Sequence, residues 1–137
     1  MGLELVAESA LRTVRYGGDL TLQRVRAEDD SELEYEPTLH GSAWADAPLV
    51  WQARIGVEAR GISKQRYIDV DSGDFSTLSP SIGFGVRLAR GFLLRGAGPW
   101  RRVDAVLAVE NFADQAIYDQ AGLPQPGRTV RLQARFW

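Results

Sequence analysis

Residues 103–114 (VDAVLAVENFAD), a loop, and residues 129–137 (TVRLQARFW) decide the fold of this chain. Alternate residues of the two segments are apolar, namely Val103, Ala105, Leu107 and Val109, then Val130, Leu132, Ala134 and Phe136. A period of two is typical of a β-strand with one apolar face, so the segments predict an antiparallel pair. The connection between them holds two glycines and two prolines, which indicates an irregular loop with Tyr118 displayed on it.

Five further segments alternate in the same way, so the chain predicts an all-β, antiparallel, up-and-down meander of about seven to eight long strands. The clearest segment is 51–61, whose length of about eleven residues suits a tilted membrane-spanning strand. The other four are predicted at residues 2–8, 19–26, 39–45 and 81–90. We also predict that the Ala53, Ile55, Val57 row and the Ile82, Phe84, Val86 row lie on the same side of one sheet.

The connections between these strands alternate in length. Long ones are expected around residues 28–37, 62–79 and 115–127, and short ones around 10–13, 46–48 and 96–98. Long loops at one end and short turns at the other are typical of an outer-membrane β-barrel. Three tryptophans near the short-turn ends, Trp44, Trp51 and Trp100, are expected either in an aromatic girdle at a membrane interface or as ordinary core or edge residues.

Composition narrows the possible functions. The 137 residues suit a single domain, 1–137, and the formal charge of −2, with the arginines scattered, gives no case for a nucleic-acid partner. The chain has no cysteine, which excludes disulfides and thiolate chemistry. It has no apolar run of about 18 residues, and we expect neither a signal peptide nor a plug-like domain within it.

Candidate catalytic and metal sites are weak. His40, Ser42 and Asp46 share one predicted strand, where they cannot form a nucleophile, base and orienting group, so we expect no enzymatic activity. Residues 69–74 (DVDSGD) depart from a calcium loop and have Pro80 where a bidentate Glu is required, which favours a polar turn. Gly83-Phe84-Gly85 lacks the third glycine of a dinucleotide motif. We therefore expect no metal and no cofactor.

A row of charges opposite an apolar face is the more informative feature. If the apolar side faces lipid, then Arg54, Glu58 and Arg60 face a wet lumen, and Arg87, Arg131, Gln133 and Arg135 share this parity. One hypothesis is that this row guides an anionic ligand or pairs with carboxylates of a plug. The other is that it only forms salt bridges with Asp104 and Glu110, which hold the sheet together.

Residues 109–114 (VENFAD), Tyr118, Gly122, residues 126–128 (PGR) and a final alternating strand that ends in aromatics together resemble the C-terminal end of a TonB-dependent outer-membrane receptor. In that family the last two barrel strands read Val-x-Asn-Leu-hydrophobic-Asp, a Tyr, Pro-Gly-Arg and a strand finishing on Phe. Phe112 stands where Leu is usual, and Trp137 follows the terminal Phe136.

The resemblance implies that the chain is a segment of a barrel that has about 22 strands around a plug. It implies that Phe136 is the aromatic read during membrane insertion and Trp137 an interfacial anchor. It also implies that Tyr118 lies with the 62–79 loop at the exterior end, where it contacts a ligand. Arg54, Glu58 and Arg60 are the lumen candidates for ligand binding.

We therefore expect the C-terminal barrel portion of a TonB-dependent transporter for iron chelates (siderophores) or similar small ligands, in the outer membrane of a Gram-negative cell. Its partners would be outer-membrane lipid, the rest of the barrel and plug or oligomeric copies, and a small-molecule ligand. Two alternatives are a small water-soluble β-barrel that binds an apolar ligand in its interior and a structural module that oligomerises through its unpaired strand edges.

Overall fold

The computed structural model describes residues 1–25, 34–95 and 101–137, with the backbone only at Asp119. Its strands are β1 (Gly2–Leu11), β2 (Val14–Gln23), β3 (Leu39–Pro48), β4 (Ala53–Ile62), β5 (Gln65–Ile68), β6 (Phe75–Leu78), β7 (Ser81–Leu93), β8 (Arg102–Glu110), β9 (Tyr118–Gln120), β10 (Leu123–Pro124) and β11 (Thr129–Phe136). Seven of them form one antiparallel sheet in the order β1-β2-β3-β4-β7-β8-β11. The predicted all-β meander is confirmed.

The register of the sheet places the apolar rows side by side. Val130 lies opposite Val109, and Val109 lies opposite Val86. Val86 in turn lies opposite Val57. Because directly opposed residues point to the same side of a sheet, the rows of β4 and β7 share one face, as predicted. We call this side the apolar face and the opposite side the polar face.

Several predicted boundaries were wrong. The first turn is only Arg12 and Thr13, and β2 begins at Val14, five residues before its predicted start. A short 3₁₀ turn, Val50–Gln52, precedes β4, so Trp51 lies outside the strand with a φ of 56°. The alternation of apolar and polar residues therefore starts at Trp51, two residues before the strand itself begins.

The long connections are more ordered than predicted. Residues 63–80 contain the antiparallel pair of β5 and β6, and residues 111–128 contain the short pair of β9 and β10. Most of the acidic run at 28–37, the predicted turn at 96–98 and Trp100 lie outside the described residues. The meander places the connections after β2, β4 and β8 at one end of the sheet, which we call the long-loop end.

The sheet has a single layer and encloses almost no core. Among the described residues, only Ile117 and Gln65 are buried, each 7% exposed. On the apolar face Leu5 is 57% exposed and Leu132 76%. The sheet is also open, since no pairing joins β1 to β11 within the described ranges. No helix in the described part of the chain is long and apolar enough to cross a membrane.

Candidate functional site

Asp46 organises the middle of the polar face. It lies on β3 opposite Gly56 of β4, with its side chain 18% exposed. Arg54 Nε donates to Asp46 Oδ1 at 2.7 Å, and Arg87 Nη2 of β7 lies 3.8 Å from Asp46 Oδ2. Gly56 lies beside this contact, and a Cβ there would be in ordinary van der Waals contact with the Arg87 guanidinium, at 3.5 Å. One carboxylate thus engages arginines from two strands.

Two further ion pairs lie towards the long-loop end. Glu58 pairs with Arg60 two residues along the same strand, and Glu110 of β8 pairs with Arg131 of β11. Together with Asp46 and Arg87, these residues line a trough of about 290 Å³ whose lining also includes Gly56 and Gly85, whereas Arg54 lies outside this lining. Arg54, Arg60 and Arg131 each have their own carboxylate, whereas Arg87 shares Asp46 with Arg54. Among these four arginines, Arg87 is therefore the one that shares its carboxylate, at a distance of 3.8 Å.

The connection between β8 and β11 folds over one end of the polar face. Ile117 lies against Gly83 so closely that a Cβ on Gly83 would come within 3.2 Å of Ile117 Cδ1. Beneath the connection is a cavity of about 490 Å³, which is lined by Glu58, Arg60 and Glu110 among others. Ile117 is thus buried because the connection that carries it packs on the sheet, and the cavity lies between this connection and the sheet.

Local hydrogen bonds hold this connection in place. Phe112 N donates to Phe84 O at 2.8 Å, which ties the start of the loop to β7. Asn111 Nδ2 donates to Gln115 O at 2.8 Å, and Gln115 N donates to Asn111 Oδ1 at 3.0 Å. Near the other end, Arg128 N donates to Asp114 Oδ1 at 2.7 Å. The Asn and Asp of the VENFAD segment therefore shape the loop.

The structure brings together only some of the predicted ligand-binding residues. Glu58 and Arg60 line the cavity, whereas Arg54 points to Asp46 and does not line it. Tyr118 is next to the buried Ile117, but it is 43% exposed and outside the cavity lining. Sequence reasoning missed Ile117, because an isolated apolar residue in a loop carries no periodic signal.

The terminal aromatics lie on opposite faces. Phe136 is on the apolar face opposite Val103, which is the position predicted for it. Trp137 Nε1 donates to Asp104 Oδ2 at 2.9 Å, and the guanidinium of Arg135 lies 5.5 Å from the centre of the Trp137 ring. Asp104 also accepts from Arg102 Nε at 2.6 Å. Trp137 therefore closes a polar cluster at the short-turn end.

Trp44 is not placed for an outward-facing girdle. It lies on the polar face opposite Gly17, and a Cβ on Gly17 would come within 3.0 Å of its ring. The Trp44 ring on β3 thus occupies the space that Gly17 on β2 leaves free by having no side chain. Trp51, in contrast, is 76% exposed at the short-turn end.

The remaining sequence candidates form no reactive cluster. Ser42 donates to Asp19, and Asp46 is held by Arg54, so neither supports His40 as a catalytic partner. Asp69 Oδ1 accepts from Asp71 N at 2.9 Å and Ser72 N at 3.1 Å, which lowers the pKa of its carboxyl. This is the polar turn that the sequence favoured. No group of three or more metal-ligating side chains occurs in the described residues.

No family model matches the chain, and no curated protein matches its sequence.

Proposed function

We propose that this chain is the C-terminal wall of a TonB-dependent outer-membrane transporter, with the apolar face against lipid and the polar face towards a wet lumen. The observation that carries the proposal is the uncovered apolar face of a single-layered, seven-stranded sheet. A sheet face of this size needs another layer or an apolar solvent to cover it.

The extent of exposed surface supports this assignment. The accessible surface of the chain is 10473 Å², whereas a compact monomer of 15.2 kDa exposes about 7,100 Å². The excess of accessible surface is what we expect of a single-layered sheet whose faces and edges are not covered by neighbouring structure. Six of the seven long strands have nine residues or more, which meets the length needed to cross a bilayer at a tilt.

The charges of the long strands are sorted between the two faces. In these strands Arg90 is the one charged residue on the apolar face, and it lies near the short-turn end with its guanidinium 4.7 Å from the centre of the Phe92 ring. A cation at mid-depth on a lipid face costs about 2–4 kcal/mol but little near an interface. Long side chains reach out of the apolar layer from such positions.

The two free edges agree with a sector of a larger barrel. β1 and β11 are the first and seventh strands of an antiparallel meander, so they run in the same direction. Antiparallel closure then requires an odd number of additional strands. A barrel of about 22 strands supplies about 15 more, which satisfies this condition.

The polar face supplies the features expected of a lumen wall. Asp46, Glu58 and Glu110 are paired with arginines, and Arg87, which shares Asp46 with Arg54, suits a carboxylate of a plug or an anionic iron chelate. The cavity beneath the Ile117 loop opens beside Glu58 and Arg60. These residues would provide weak, reversible contacts along a transport path and no chemical step.

Membrane fractionation tests the orientation of the sheet. The chain would be expressed with an export leader in a Gram-negative cell, and Leu107→Lys would be compared with its neighbour Val106→Lys. Leu107 lies among Leu88 and Leu132 on the apolar face, whereas Val106 lies between Ala89 and Gln133 on the polar face. We expect Leu107→Lys to deplete the chain from the outer membrane, and Val106→Lys to leave it there.

A wild-type chain found wholly in the soluble periplasm would refute the membrane assignment. If that soluble form were a monodisperse monomer, it would favour the small water-soluble β-barrel. A soluble oligomer would favour the edge-pairing module.

A further inference from the structure

Arg90, the one charged residue on the apolar face of the seven long strands, lies in a row of small residues. On β7 it is opposite Ala53 of β4 on one side and Ala105 of β8 on the other. Ala134 of β11 continues the row, because it lies opposite Ala105. The two adjacent rows are bulkier, with Leu88, Leu107 and Leu132 towards the middle of the sheet and Phe92, Val103 and Phe136 towards the short-turn end. The Arg90 side chain therefore has open space on both sides.

No carboxylate neutralises Arg90 in the described part of the chain. Its guanidinium contacts the Phe92 ring and forms no hydrogen bond or ion pair with a described residue. Asp104 of the neighbouring β8 lies on the polar face, where it accepts from Arg102 and from Trp137. The nearby residues 96–100 (GAGPW) contain no charged residue, and the acidic run at 28–32 follows β2, whose end lies at the long-loop end.

The Arg90 side chain is directed towards the short-turn end. Its guanidinium lies over the ring of Phe92, 4.7 Å from the ring centre, and Phe92 comes two residues later on a strand that ends at Leu93. Three residues of strand span about 10 Å, which at a tilt of about 40° is a depth of about 8 Å. A long cationic side chain at this depth keeps its stem in the apolar layer and brings its charge to the membrane surface.

A guanidinium in this position is complementary to a phosphate. Phosphate oxygens accept two parallel N–H groups from one arginine, and such charge-assisted hydrogen bonds are stronger than neutral ones. The Phe92 ring covers one side of the guanidinium, so the N–H groups at its edge are free to donate. The acyl chains that a phospholipid carries would continue along the apolar rows of Leu88 and Leu107.

We propose that Arg90 binds the phosphate of a phospholipid headgroup, in the space that Ala53 and Ala105 leave at the short-turn end of the apolar face. The site rests on the proposed function, which places this face against lipid, and adds a specific lipid contact to it.

The test uses the full chain in non-ionic detergent micelles at constant ionic strength. Phosphatidic acid is added to one series of samples, and diacylglycerol with the same acyl chains, which lacks the phosphate, to another. Nuclear magnetic resonance follows the Nε–H group of Arg90 and the backbone amides of Phe92 and Ala105. Arg90→Gln removes the charge. Arg15→Gln is the matched control, because Arg15 is an exposed arginine at the same end of the sheet but on the polar face, where it pairs with Glu8.

We expect phosphatidic acid to shift the three signals to saturation and diacylglycerol to leave the Nε–H signal in place. In Arg90→Gln the two amide signals should need at least about fivefold more phosphatidic acid, whereas Arg15→Gln should match the wild type. Equal responses of the wild type to both lipids, or equal half-saturation in the wild type and Arg90→Gln, overturn the proposal. The comparison of the two lipids needs no variant, so it decides the outcome if Arg90→Gln does not fold.

Fractionation of the wild type separates this site from the proposed function. A chain that enters the outer membrane but shows no phosphate-dependent shift at Arg90 overturns the lipid site alone. A chain found wholly in the soluble periplasm overturns both.

Discussion

At the residue scale, the fit between neighbouring strands depends on a few glycines. Gly41 and Gly61 lie directly opposite each other on the apolar face of β3 and β4. A Cβ on Gly41 would come within 2.4 Å of Asp19 O, whereas a Cβ on Gly61 would have Ser81 O as its nearest neighbour, at 4.0 Å. Two glycines that look alike in the sequence therefore differ in the room around them.

This pair gives a matched test of packing. We expect Gly41→Ala to lower the free energy of unfolding by about 1–3 kcal/mol, because the backbone of β2 must move to admit the methyl group. Gly61→Ala should leave it unchanged or raise it by up to about 1 kcal/mol, because alanine loses less backbone entropy in a strand. Urea unfolding from non-ionic micelles measures both, and equal destabilisation would contradict the packing described for β2 and β3.

A second residue-scale prediction concerns the turn between β5 and β6. Two backbone N–H groups hydrogen-bond to the carboxylate of Asp69 and lower its pKa below the ordinary value. A lowered pKa in the folded state means that the turn is stabilised at a pH above the unfolded pKa. The stabilisation is lost as the pH falls through the lowered folded pKa. The β5–β6 pair should therefore loosen only in strong acid.

Nuclear magnetic resonance can follow this titration directly. The amide signals of Asp71 and Ser72 should shift with the Asp69 carboxyl, at a pH below that of an ordinary aspartate. Asp69→Asn should abolish this acid-dependent shift, and Asp71→Asn should preserve it. A midpoint at or above the ordinary aspartate value would count against the turn geometry.

At the scale of an element, β11 shows how one strand serves two environments. Its apolar row is fully matched by β8, with Phe136 opposite Val103 and Ala134 opposite Ala105. Its polar row bears Arg131, paired with Glu110, and Arg135, beside the Trp137 ring. Because the side-chain period of a strand is two, a slip of one residue would exchange both rows at once.

Substitutions in β11 test the proposed role of its end in membrane assembly. We expect Phe136→Asp to reduce the membrane-bound fraction about fivefold or more, since it removes the terminal aromatic and puts a carboxylate on the apolar face. Gln133→Asp is the better control than a change at Arg135, because Gln133 lies opposite Val106 and its loss leaves the Asp104 cluster intact. Equal losses in the two variants would remove the special role of Phe136.

At the scale of the whole molecule, the sheet has a protected middle and two bare edges. β4 and β7 are paired on both sides, whereas β1 and β11 each leave one edge without a partner in the described structure. Unpaired strand edges are sites for pairing with another chain. The edge strands of the isolated chain are therefore expected to be less stable than the middle of its sheet.

Hydrogen exchange can test this gradient. In detergent, amides of β4 and β7 should exchange most slowly, and alternate amides of β1 and β11 should exchange at rates close to those of a free chain. Supplying the strands that close the proposed barrel should slow exchange in β1 and β11 while leaving β4 and β7 nearly unchanged. Uniform protection across all seven strands of the isolated chain would mean that its edges are already paired.

The sequence by itself determined the all-β class, a meander of about seven to eight long strands and the face on which the alternating residues of these strands lie. Alternation is a local property with a period of two, and it repeats along every strand, as in Val103 to Val109 and Val130 to Phe136. Local patterns did not fix strand ends, because the alternation continued through Trp51 although the chain turns there. They also did not reveal the β5–β6 and β9–β10 pairs within the long connections.

Only the tertiary structure decided which charges meet and what lies over the polar face. Asp46, Arg54 and Arg87 come from three strands, so their contact depends on the register between strands. The burial of Ile117 against Gly83 depends on how the 111–128 connection folds back. Such contacts join residues far apart in the chain, and their free energy comes from packing and charge between segments, which a pattern read along one segment does not contain.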